Sequence, residues 1–75
     1  MSLSDLVIHI DESLNELEIN ETENVARTCA GVVSARINQN RRHLMLVTYD
    51  PSYGFSSHIL GSVRSLGWHG QLIGL

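Results

Sequence analysis

The run Leu6-Val7-Ile8-His9-Ile10 is rich in β-branched residues and predicts a first strand. Strand alternation puts Leu6, Ile8 and Ile10 on one face and Val7 and His9 on the other. The spacing then changes to about 100° per residue: Leu14, Ile19, Thr22, Val25, Ala26 and Cys29 share one arc of a helix. Ser13-Leu14-Asn15-Glu16 has the S-x-x-E spacing of a capping box, and Asn20 to Glu23 offers a second, later start. Gly31 stands where a left-handed helix stop is expected. Val32 to Ile37 predicts a second strand, Asn38-Gln39-Asn40-Arg41 a polar turn, and His43 to Tyr49 a third strand, so residues 32–49 form a hairpin. After the loop Asp50-Pro51-Ser52-Tyr53-Gly54, Ser56 or Ser57 can cap a second helix whose Ile59, Leu60, Val63 and Leu66 make one face. Gly67 ends it, and Trp68 to Ile73 reads as the last strand.

The order β-α-β-β-α-β predicts an α+β, ferredoxin-like sandwich. Two right-handed crossovers place strand 1 between strands 3 and 4. The expected sheet is four-stranded, antiparallel, in order 4-1-3-2, with both helices on one face. Leu6, Ile8, Ile10, Val25, Cys29, Val32, Ile37, Met45, Val47, Ile59, Val63, Leu66, Trp68 and Leu72 are the expected core.

Seventy-five residues allow a single domain, 1–75. So short a chain buries only ~60% of its unfolded surface, which favours an oligomeric or other partner. Cys29 is the sole cysteine, so no intrachain disulfide and no four-thiolate site can form. No apolar run approaches the ~20 residues that span a bilayer, so no membrane insertion is expected. The first residues lack a signal-peptide pattern, and a soluble cytoplasmic domain is expected. Five arginines, no lysine and a net charge of −3 argue against a nonspecific nucleic-acid binder. Six of the eight carboxylates, Asp11, Glu12, Glu16, Glu18, Glu21 and Glu23, precede Arg27, Arg36, Arg41 and Arg42. That asymmetry fits a solvated helix aligned with its macrodipole, or an acidic docking face.

Three segments together resemble the heavy-metal-associated domain family: Gly31-Val32-Val33-Ser34-Ala35-Arg36-Ile37, Val47-Thr48-Tyr49-Asp50-Pro51, and Ile59-Leu60-x-x-Val63-x-x-Leu66-Gly67-Trp68. The resemblance covers roughly residues 5–73. It implies the same fold and a role in metal handling, as in small copper chaperones and the N-terminal domains of metal-pumping ATPases. Such domains hold soft metal through a C-x-x-C between strand 1 and helix 1. Counting back from Gly31 puts those positions at Asn15 and Glu18, or at Leu14 and Leu17, and no thiol stands at any of them. Carboxamide and carboxylate do not select copper(I) or mercury, so no tight site for either is expected. The chain reads as a divergent member lacking the C-x-x-C.

The histidines give the alternative metal chemistry. His9 faces away from the predicted helices, and so does His69 in strand 4. As cross-strand neighbours they could form half of a site for a divalent ion, zinc, nickel or copper(II). His43, on the inward parity but at a strand end, and His58, in the first turn of helix 2, have no evident partner. Val7, Leu44, Leu46 and Ile73 fall on the same helix-free face, where polar residues are the norm. They are expected to form an interaction surface for a second copy or another protein.

Catalysis has little support: no nucleophile elbow, phosphate-binding glycine loop or metalloprotease helix is present, and no enzyme is expected. The open face lacks the aromatic and basic residues of an RNA-recognition module. Asp11-Glu12-Ser13 lacks the glycine that amino-acid-sensing domains carry after strand 1. Two expectations stand: a metal-handling domain by resemblance, or a metal-independent interaction or oligomerisation module on the same scaffold.

Overall fold

The computed structural model describes residues 2–73. Its elements are β1 (Ser4–Ile10), α1 (Glu16–Arg27), β2 (Val32–Ile37), β3 (Leu44–Tyr49), α2 (Ser56–Arg64) and β4 (Gly70–Ile73). The sheet order is β2-β3-β1-β4, with every neighbouring pair antiparallel. This is the expected order, read from the other edge. Leu6, Ile8 and Ile10 of β1, Ala35 and Ile37 of β2, and Met45 and Val47 of β3 are buried with Ile19 and Ala26 of α1 and Ile59 and Val63 of α2. Both helices therefore cover one face. Among the described residues no helix is long and apolar enough to cross a membrane.

The start of α1 differs from both sequence-based expectations. Its cap is Asn15: the Asn15 Oδ1 accepts from the Glu18 N–H and the Glu18 Oε1 accepts from the Asn15 N–H, each at 2.9 Å. Burial selects this register. It places Leu14 and Ile19, both buried, at the positions of a hydrophobic staple. A start at Ser13 would give that role to Leu17, which is 66% exposed. Helix α2 begins at Ser56 with Phe55 as its cap residue and no side-chain cap bond, so neither Ser56 nor Ser57 caps it.

The core also differs in detail. Leu14, Ile19, Ala26 and Ala35 belong to it, whereas Val25, Leu66, Cys29, Val32 and Trp68 are half-buried. Leu72 is 44% exposed. Strand β4 is a short edge strand, and Gly70 is the residue packed beneath α2, with an added Cβ 3.3 Å from Ile8 and 3.5 Å from Leu60. Trp68 precedes the strand, and its indole N–H donates to the Thr22 hydroxyl at 2.9 Å. The acidic stretch is not uniformly solvated. Glu23 is buried, and its Oε2 accepts the Ile37 N–H at 2.8 Å, tying α1 to the end of β2.

Candidate functional site

The C-terminal end of the central strand β1 is clamped from both sides. The Ile10 N–H donates to the His43 carbonyl at 2.7 Å, and the Asp11 N–H donates to the His69 carbonyl at 3.0 Å. These bonds flank β1 with His43 on one side and His69 on the other, and His9 stands one turn of the pleat before them.

Each imidazole is held by its Nδ1. His43 Nδ1 lies 2.7 Å from the Ile10 carbonyl oxygen, which can only accept, so this nitrogen carries the proton. His9 Nδ1 lies 3.2 Å from Asp11 Oδ1. His69 Nδ1 lies 2.5 Å from Glu12 Oε2, and the His69 N–H donates to Glu12 Oε1 at 2.8 Å. Ile10 and Glu12 thus orient two imidazoles by hydrogen bonds, and Asp11 between them lies within ion-pair distance of the third. In the neutral rings Nε2 is then the nitrogen with the lone pair. The His69 side-chain bond, and then its backbone bond, hold Glu12 below its ordinary carboxylate range. The bond to Glu12 raises His69 above its usual value.

The sequence paired His9 with His69. In the structure His9 stands opposite Leu44 on β3 and Gln71 on β4, and His69 lies two residues from Gln71, just before the strand begins. The ring stacked on His9 is that of His43, with centroids 5.8 Å apart and planes at 16°. Sequence parity assigned His43 to the inner face. Because β3 starts at Leu44, the His43 side chain is free of the pleat and turns to His9. A histidine immediately before a strand is the signal that could have found it. His58 packs edge-on against Phe55, away from this group. Among the described residues no three His, Cys, Asp or Glu side chains gather as a metal site.

The positions that the resemblance assigns to thiolates are Asn15 and Glu18, and both are engaged in the cap of α1. In the other register Leu14 is buried and Leu17 is an exposed aliphatic. Cys29 lies past the other end of α1, about 20 Å away at 1.5 Å per residue, half-buried with its Sγ toward the Val25 carbonyl. The donors at the β1–α1 turn are hard or borderline and do not suit a soft ion.

On the helix-free face Leu46, Val7 and Ile73 stand in one register row, Val7 paired with Leu46 on one side and Ile73 on the other. Leu46 and Ile73 are 49% and 41% exposed, Val7 and Leu44 half-buried. Arg36 extends the row on β2.

No family model and no curated protein matches the sequence. Solved structures do match, over nearly the whole chain. The N-terminal domain of a potential copper-translocating P-type ATPase from Bacillus subtilis, in the Cu(I)-loaded state, superposes with a TM-score of 0.86. It is 22% identical, with 97% of this chain and 90% of that chain covered. The fold is that of the heavy-metal-associated domain. Oxidized MerP from Ralstonia metallidurans CH34 gives 0.86 at 8% identity, covering 97% and 100%. The copper chaperone of Enterococcus hirae in its apo form gives 0.81 at 13% identity, covering 91% and 98%.

Proposed function

We propose that this chain is a metal-handling domain of the heavy-metal-associated type in which imidazole has taken the place of thiolate. The observation that supports this reading is the stacked pair His9 and His43 at the end of β1, with His69 bonded to Glu12 in the turn where the resemblance places the thiolates. The likeness of fold to a copper chaperone and an ATPase domain supports the class. Imidazole suits zinc, nickel or copper(II), with His9 and His69 as ligands and no catalytic role. The cytoplasmic location expected from the sequence belongs to the same proposal. Equilibrium dialysis of protein without a histidine tag tests it. Saturable binding of one of these ions, weakened by His9→Ala, is expected; weakening by His69→Ala as well would name the second ligand. No saturable binding of any of the three would sink the reading. Copper(I) should bind no more tightly than micromolar to Cys29→Ser, and submicromolar binding by that variant would restore a soft-metal site.

A second reading is a metal-independent module that binds a second copy or another protein through the open face, and the row Leu46, Val7, Ile73 favours it. Leu46→Asp should then abolish association and leave the fold intact. Sedimentation that shows the same species for wild type and variant removes the homodimer and leaves only a different partner.

A further inference from the structure

We infer that His9 and His43 form one half of a zinc site that a second copy of the chain completes, so that four imidazoles hold one ion between two copies. This inference rests on the metal-handling reading, takes His43 in place of His69 as the second ligand, and adds the stoichiometry and the partner.

The ring orientation points to it. A metal-bound histidine usually donates its other ring N–H to a carboxylate or a backbone carbonyl, which fixes the tautomer and the ring. His43 does so toward the Ile10 carbonyl, and the His9 Nδ1 lies within ion-pair distance of Asp11, 3.2 Å from its Oδ1. His43 is therefore set to bind through Nε2, and a His9 proton facing the Asp11 carboxylate sets that ring the same way. Two imidazoles on one tetrahedral zinc, with Zn–N near 2.0–2.1 Å, hold their centroids about 5 Å apart. The centroids here are 5.8 Å apart. The nearly parallel planes must tilt so that the lone pairs converge, with the Nδ1 bonds as pivots, and exposed side chains have that freedom.

Ligand count supplies the partner. A closed zinc site needs four ligands, and among the described residues no third side chain joins this pair. A two-fold axis through the ion duplicates the pair and completes the site. The open face accommodates that arrangement. His9 stands opposite Leu44, and Val7, the centre of the apolar row, is about 7 Å further along β1. A second copy laid over this face would cover the row and bring the two histidine pairs together. His69 is outside the pair, held by Glu12 just before β4 begins.

The test is zinc titration of the full chain without a tag, read by sedimentation and by bound-metal analysis, with cobalt(II) as a spectroscopic substitute. One zinc per two chains, a zinc-dependent dimer and the intense visible bands of tetrahedral cobalt are expected. His9→Ala and His43→Ala should each weaken zinc binding at least tenfold, while His69→Ala stays within twofold. His43→Gln removes the ring but keeps an N–H for the Ile10 carbonyl, so it stands in if His43→Ala fails to fold. One zinc per chain with no dimer overturns the inference. So does a loss in His69→Ala with none in either His43 variant, a result that leaves the His9–His69 reading intact. No zinc binding by the wild type overturns the inference, and the metal-handling reading falls with it when nickel and copper(II) also fail to bind.

Discussion

The two ends of the sheet are closed by different means. Where β1 begins, backbone packs on backbone. Gly31 has φ +81°, its carbonyl accepts the Asp50 N–H at 2.8 Å, and a Cβ on it would lie 2.7 Å from the Gly54 nitrogen. Where β1 ends, side chains accept the loose backbone N–H groups: Glu23 takes Ile37, Glu12 takes His69, and the Asn38 Oδ1 takes Asn40 and Arg41. At the first end the Gly31–Gly54 approach admits no side chain, although Asp50 Oδ1 beside it accepts the Ser52 N–H at 2.9 Å. The second tolerates many, and changing one alters charge, capping and ligand chemistry while the chain path stays. Chemistry can vary at the second end because the first end holds the fold.

The sharpest way to break this contrast is at Gly31. A valine there combines a left-handed backbone with a backbone clash and should cost about 3 kcal/mol or more, measured by urea unfolding. Gly61, on α2 with open space around its Cα, is the control. Gly61→Ala should stabilise by about 0.5–1 kcal/mol through helix propensity. Equal losses at the two positions would deny the backbone-packed end its special role.

At the side-chain end the effects should be smaller and individually separable. Glu23→Ala leaves the buried Ile37 N–H without its acceptor and should cost about 1–3 kcal/mol. Asn15→Ala removes half of the capping box and should cost about 1 kcal/mol. Asn15→Ser restores an acceptor and should recover most of it. If Asn15→Ala costs nothing, the cap does not explain what the residue at the first ligand position of the resemblance is for.

The strand order and the inner face of β1 and β3 were legible because period two persists through Leu6, Ile8, Ile10 and Met45, Val47. The start of α1 was not, because Ser13, Asn15 and Asn20 are all competent caps. Only the burial of Leu14 and Ile19 chooses among them, and burial is a tertiary property. The His9–His43 stack was hidden for a related reason. Alternation assigns a face only to residues inside a strand, and His43 stands one residue before β3. Leu72 was misplaced because parity ignores how little of an edge strand a helix covers.

The smallest expected effect belongs to the Glu12–His69 pair, and its pH dependence has a definite sign. The bond raises His69 above its ordinary value of 6.5, so its contribution is complete below that pH and is lost as pH rises through the raised value. The same bond lowers Glu12 from 4.5, so its contribution is complete above 4.5 and is lost as pH falls through the lowered value. The pair therefore acts fully between these two values. His69 is exposed and Glu12 half-buried, so the effect is modest and salt should screen it. Thermal melts of wild type and Glu12→Gln from pH 4 to 9 should show the wild-type advantage greatest near pH 5–6. The advantage should narrow toward pH 9 and shrink in about 1 M salt, where the screening length falls to about 3 Å. An advantage that stays level from pH 6 to 9 would mean that Glu12 stabilises the turn only through the His69 backbone N–H. The side-chain end would then hold its imidazole by geometry alone.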